Sequence, residues 1–224
     1  MSTYLRKVSA IVWKDVTAEL RTKDIFSGMF VFALLAVVIF QFAFDLRADN
    51  VRLVAPGVIW VAIAFAGVLG LNRSFILEQD RGSLEGLLLA PVDRSAIYFG
   101  KLIGNLIFIL AVELVLLPVA SVFFNIWLLS PAILLFVALG TIGFAAVGTL
   151  FSALSVNTRA REVLLPILLF PIMVPVFIAG VRATSGLLDG EAFSELGHWL
   201  RLLLAYDAIF IAAAFLLFDY VVEE

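Results

Sequence analysis

The chain contains no cysteine and a single histidine, and only 15% of its 224 residues are charged. The missing cysteines exclude disulfides, thiolate metal sites and covalent haem attachment through a Cys-x-x-Cys-His motif. His198 has no second histidine with which to build a His-based metal site, although one axial histidine suffices for a haem iron in some proteins. Scarce charge, set against 63% hydrophobic residues and a mean hydropathy of +1.13, excludes a soluble surface of mixed charge. A phosphate loop is also missing. Gly100-Lys101 is followed by Leu102 and lacks the preceding glycine, so the chain has no such means of binding or hydrolysing ATP.

What is present is a series of long apolar runs. About 20 helical residues cross roughly 30 Å of hydrocarbon, and runs of that order lie near 25–44, 54–72, 102–124, 131–155, 163–181 and 201–222. They are continuous and show none of the apolar/polar alternation of barrel strands, which predicts six spanning helices and an all-α polytopic fold. No polar segment is long enough to build a soluble domain. The first run starts too late and runs too long for a cleavable signal peptide, so the N-terminus is expected to be retained.

Eleven of the fifteen basic residues fall before span one (Arg6, Lys7, Lys14, Arg21, Lys23), after span two (Arg73, Arg81, Arg94, Lys101) or after span four (Arg159, Arg161). The opposite side holds Arg47, Arg52, Arg182 and Arg201. The positive-inside rule therefore places both termini in the cytoplasm, as an even number of spans requires.

Ahead of span one, Leu5, Val8, Val12, Val16 and Leu20 recur at three- and four-residue steps, with most charges off that stripe. Residues 1–24 are expected as an amphipathic helix in the membrane interface, with Trp13 as a headgroup anchor. Ladders of small residues mark packing faces: Ala62, Ala66 and Gly70 in span two; Thr141, Ala145, Thr149 and Ala153, with Gly140, Gly148 and Ser152, in span four. Pro166, Pro171 and Pro175 predict a kinked fifth span. Residues 182–200 are expected as a short outer-face connector.

Two acids fall inside spans, Glu113 near the middle of the third and Asp207 in the sixth. A lipid-facing carboxylate at mid-membrane costs on the order of 2.5–3.5 kcal/mol on insertion scales, so Glu113 is expected to face protein or a cavity. It is either part of a transport path or subunit lock, or an inward carboxyl bonded to a neighbouring helix. Asn72 and Asn105 read as interhelical hydrogen-bonding residues.

The most unusual stretch is a polar island between spans two and three, Leu77-Glu78-Gln79-Asp80-Arg81-Gly82-Ser83-Leu84-Glu85-Gly86-Leu87-Leu88-Leu89-Ala90-Pro91. Gly82 permits a sharp turn and Asp80 or Ser83 can cap a short helix whose Leu84, Leu87 and Leu88 face the bundle. Pro91 ends the segment, and Asp93 can cap the helix that enters the membrane.

The pattern Glu78-x-x-x-Gly82-Ser83-Leu84-Glu85-x-Leu87-Leu88-x-x-Pro91-Val92-x-Arg94, followed by Gly100-Lys101, resembles the coupling segment of ABC-2 type permeases. With the wording LEQDRGSLEGLLLAPVDRSAIYFGKLIGN, the opening VWKDVTAELRTKD and the six-span length, the chain looks most like the haem exporter protein B family. The resemblance implies a single permease domain, 1–224, in the bacterial inner membrane, with 73–101 as its cytoplasmic coupling segment. Glu78, Asp80, Arg81, Gly82, Ser83 and Glu85 would be the surface gripped by a separate ABC ATP-binding subunit, which holds the ATP and magnesium. The implied partners are a second copy of the chain, a haem-handling membrane subunit, a small membrane subunit, a haem chaperone and the lipid bilayer, with no nucleic acid. Haem would be cargo of the complex, translocated or released on its chaperone; no catalytic residue, bound cofactor or metal is expected on this chain.

Three other readings stay open on the residues alone. They are an ABC-2 permease for another amphipathic substrate such as a drug, lipid or glycan; an energy-independent membrane scaffold; and a secondary transporter using Glu113 as a proton site. The last is expected to show inverted repeats and paired broken helices, which the sequence does not display.

Overall fold

A spanning segment meets no water to satisfy its peptide groups, so each long apolar run must close its backbone hydrogen bonds within itself, as a helix. A computed structural model of the chain describes residues 3–44, 48–80, 86, 92–156, 158 and 161–221. For residues 3, 48–50, 75–80, 156, 161, 162 and 219 it describes the backbone alone.

The long helices are α1 (Thr3–Thr22), α2 (Asp24–Ala43), α3 (Ala48–Asp80), α4 (Arg94–Phe124), α5 (Pro131–Val156), α6 (Arg161–Asp189) and α7 (Gly197–Val221). Among the described residues six stretches are long and apolar enough to cross a membrane: Asp24–Ala43, Val51–Ser74, Arg94–Phe124, Pro131–Ser155, Val163–Asp189 and Gly197–Phe218. No strand occurs among the described residues. The protein is an all-α polytopic membrane protein.

Several helices outrun the expected spans. α3 continues to Asp80, so Leu77 to Asp80 of the polar island belong to its last turn. No glycine or proline interrupts 73–80, and the helical ladder does not stop at the membrane boundary. α6 stays helical through Pro166, Pro171 and Pro175 and reaches Asp189. The expected 182–200 connector is thus largely helix, shared between α6 and α7, and the link is 190–196. Gly190 sets the stop: at φ 89° it adopts a left-handed conformation. The Gly190 N–H donates to Leu187 O at 3.3 Å and the Glu191 N–H to Gly186 O at 2.9 Å, the paired bonds of a Schellman end.

α5 is the hub, packing against α3, α4, α6 and α7, while α2 lies along α3 and α1 along α4. The small-residue ladders are what allow this. Ala62, Ala66, Thr141, Ala145, Thr149 and Ala153 are all buried, so the backbones around α5 approach closely. Trp60 fills the junction of α3, α5 and α6. Its indole lies against Gly140 and Gly180, where any Cβ would collide with it. The indole Nε1 donates to Thr184 Oγ1 at 3.2 Å, and Thr184 donates to the Gly180 carbonyl at 2.7 Å. Outward faces are apolar, as lipid requires: Val31, Leu35 and Ile39 on α2, and Ile209 and Leu216 on α7, are exposed.

Candidate functional site

Of the residues marked for coupling, Glu78 and Asp80 lie in the last turn of α3. Arg81, Gly82, Ser83 and Glu85 lie outside the described residues, as do Leu84, Leu87 and Leu88 of the short helix expected there. What is described is the structure on either side of them: the end of α3, the start of α4, and α1 lying against α4.

α1 packs along α4 with part of its apolar stripe and part of its polar face. Leu5 and Leu20 are exposed, while Val8, Ile11 and Glu19 are buried. The contact face is polar as well as apolar because it meets charged groups at the entry of α4. Asp15 Oδ2 lies 2.9 Å from Lys101 Nζ, and Lys101 is 1% exposed. Lys14 Nζ stands 3.3 Å from the other Asp15 oxygen. Ile11 rests on Gly100, which has no side chain to hold it off.

Two further bonds fasten the same faces. Tyr4 donates to Ser95 Oγ at 3.3 Å, and Lys7 Nζ lies 3.5 Å from Asp93 Oδ2. Asp93 takes the N-cap position of α4 but makes no side-chain cap hydrogen bond; its carboxylate turns to Lys7 instead. α2 is tied in by Glu19, whose Oε1 accepts the Phe26 N–H at 2.8 Å. That acceptor serves one of the first-turn donors that Lys23, at the N-cap with φ 58°, leaves without a side-chain bond. Arg73 Nη1 donates to the Asp24 carbonyl at 3.0 Å, joining the cytoplasmic-side ends of α2 and α3 predicted from the charge pattern.

From Lys101 a polar line runs into the bundle. Lys101, Asn105 and Glu113 follow one another along α4 at intervals of four and eight residues, and all three are buried. Asn105 Nδ2 donates to Thr149 Oγ1 at 3.0 Å, and Thr141 Oγ1 donates to Glu113 Oε1 at 2.5 Å. Tyr98 adds a bond to the Ala146 carbonyl at 3.2 Å. Every one of these partners is on α5. Ser152 of α5 then donates to the Leu71 carbonyl of α3 at 2.7 Å.

Glu113 Oε2 is buried with no hydrogen-bond partner among the described residues, as are both carboxylate oxygens of Asp207 on α7. Asp207 sits beside Gly143, where a Cβ would come within 2.6 Å of Oδ1. His198 is exposed, its ring tilted 46° against that of Trp199 with centroids 4.5 Å apart, and its Nδ1 lies 3.0 Å from the Glu195 carbonyl. Among the described residues no three His, Cys, Asp or Glu side chains cluster to hold a metal ion. The arrangement is therefore one of locked helix faces, able to carry a displacement of α1 and α4 into α5.

The model of the CcmB protein family matches residues 6–220, which takes in most of α1 and all six spans. The chain belongs to the CcmB family. Among its relatives is heme exporter protein B of Rhodobacter capsulatus, 28% identical over 186 residues, 82% of this chain and 84% of that protein. Heme exporter protein B of Pseudomonas aeruginosa is 28% identical over 178 residues, covering 78% and 79%. The Haemophilus influenzae protein of the same name is 29% identical over 162 residues, covering 70% and 72%.

In the sequence of this CcmB-family chain the charge pattern places Lys101 with the basic residues after span two and does not disclose its pairing with Asp15. A signal was there. Lys101, Asn105 and Glu113 already stand out as three polar groups along a largely apolar helix. Thr141 and Thr149 were recognised as small packing residues, but their hydroxyls matter equally.

Proposed function

We propose that the chain is the permease subunit of an ATP-driven complex for cytochrome c maturation in the bacterial inner membrane, with both termini cytoplasmic. Two copies would form the transmembrane unit, and a separate ABC ATP-binding subunit would grip the segment around Glu78, Asp80, Arg81, Gly82, Ser83 and Glu85. Support comes from the heme exporter names of the relatives, from the Lys and Arg distribution, and above all from one observation. The 73–101 segment ends at Lys101, where α4 is locked to α1 by a buried ion pair and begins its polar line to α5.

In this reading, closure of the ATPase displaces the 73–101 segment, α1 and α4 together, because separating them strips a buried ammonium of its carboxylate. α4 passes the displacement to α5 through Asn105–Thr149 and Glu113–Thr141, and α5 touches α3, α6 and α7. The haem-handling subunit, small membrane subunit and haem chaperone complete the complex. We favour release of haem-loaded chaperone over passage of haem, since the one histidine of the chain, His198, is exposed and the bundle interior offers no imidazole to hold a haem iron.

Copurification tests the coupling. Charge reversal at Arg81 and Glu85 is expected to abolish ATPase association while the chain remains in the membrane. Undiminished association of that variant overturns the proposal. Deleting the chain separates the two roles, since haem-loaded chaperone accumulating without mature cytochromes indicates release and unloaded chaperone indicates haem delivery.

A further inference from the structure

At the end of the bundle opposite α1, four spans converge on a polar pocket of about 300 Å3. Arg52 of α3, Asn125, Trp127 and Ser130 of the α4–α5 turn, and Ile133, Leu187 and Leu188 of α5 and α6 line it. The turn is built to stay in place. Asn125 caps α4 in a left-handed conformation (φ 52°), its N–H shared between the Ser121 and Val122 carbonyls. Ser121 Oγ accepts the Leu128 N–H at 3.2 Å, Leu128 is fully buried, and Ser130 Oγ accepts the Ile133 N–H at 3.3 Å to open α5. Trp127, 69% exposed, is thereby held out over the pocket.

The chemistry of this lining is asymmetric. It offers one guanidinium, one amide and one hydroxyl, with no carboxylate among the lining residues, against a wall of Ile133, Leu187 and Leu188. Arg52 and the Asn125 side chain make no hydrogen bond or ion pair among the described residues. A guanidinium matches a carboxylate or phosphate with two parallel donors. An indole at the membrane surface accepts an apolar body with a polar edge.

We infer that this pocket binds the acidic head of an amphipathic anion, a carboxylate or phosphate held by Arg52 and Asn125 with its apolar body against Trp127, Leu187 and Leu188. Two sources supply that chemistry at a membrane surface: an anionic phospholipid headgroup, or the carboxylate edge of a membrane-borne planar cofactor such as haem. The site stands independently of ATPase coupling, so a chain that fails to copurify with an ATPase can still show it.

The test uses the full chain in nanodiscs of phosphatidylcholine, titrated separately with haemin and with phosphatidylglycerol, following tryptophan fluorescence. The pocket's signal is the part lost in Trp127→Phe. Arg52→Gln is expected to weaken binding about fivefold, the scale of an exposed ion pair, and Arg52→Lys to weaken it less. Response to haemin but not to its dimethyl ester assigns the cofactor source. Response to phosphatidylglycerol but not to diacylglycerol assigns the lipid source. Equal response to charged and esterified probes, unchanged affinity in Arg52→Gln, or no Trp127-dependent signal with either anion overturns the inference.

Discussion

Asp15 on the N-terminal helix and Lys101 on the third span form an ion pair 2.9 Å long that is almost wholly withdrawn from solvent. An exposed pair of this kind contributes little. A buried one is different, because removing one member leaves the other desolvated with less compensation. Asp15→Asn is expected to destabilise the chain by about 3 kcal/mol in denaturant titrations in detergent micelles. The double variant Asp15→Leu with Lys101→Met, which removes both charges, is expected to recover most of that loss. If the single and double variants unfold alike, the pair is not what fastens α1 to α4.

The Trp60 junction gives an independent prediction. A methyl group at Gly180 collides with the indole, and overpacking of this kind typically costs about 1–3 kcal/mol. Gly180→Ala is therefore expected to lower the thermal midpoint measurably. Thr184→Val keeps the volume but strands the indole N–H, and the expected cost is about 1–2 kcal/mol, the desolvation of one unmade bond. Trp60→Phe with Gly180→Ala relieves the clash, so the double variant should be more stable than the sum of the singles predicts.

The two readings of Glu113 differ in what they require of its charge. Its Oε1 accepts from Thr141 and its Oε2 meets no partner among the described residues. Glu113→Gln preserves the acceptor, so its effect on stability is expected within about 1 kcal/mol, whereas Thr141→Val leaves both oxygens unpartnered and costs about 1–3 kcal/mol. Cytochrome c assembly supplies the second readout. A stable Glu113→Gln chain that fails to support it assigns the carboxyl a role beyond joining α4 to α5.

Much of the architecture was legible because lipid leaves the backbone few choices. Continuous apolar runs had to be helices, and four-residue ladders such as Thr141, Ala145 and Thr149 had to be contact faces. Helix ends were less legible. α3 overran its apolar segment because nothing in 73–80 breaks a helix, and α6 stopped at Gly190 rather than at its prolines. The site was least legible where a polar residue's partner is distant in sequence. Asp15 and Lys101 are 86 residues apart, and only the packing of α1 onto Gly100 brings them together.

Asp207 offers the sharpest separation of stability from function. Both of its oxygens are buried without a partner among the described residues, and Gly143 leaves just enough room for Oδ1. A buried polar group without hydrogen bonds costs about 1–3 kcal/mol relative to an apolar side chain of similar shape. Asp207→Leu is therefore expected to leave the thermal midpoint unchanged or raise it, in contrast to most substitutions at buried positions. Gly143→Ala, which presses a methyl group on the carboxylate, is expected to destabilise the wild-type chain but to cost less beside Asp207→Ala, which removes the oxygen that the methyl group meets. Should Asp207→Leu destabilise by several kcal/mol, the carboxylate must have a partner in the folded protein. Should it stabilise the chain yet abolish cytochrome c assembly, Asp207 is retained against stability because the working complex engages it.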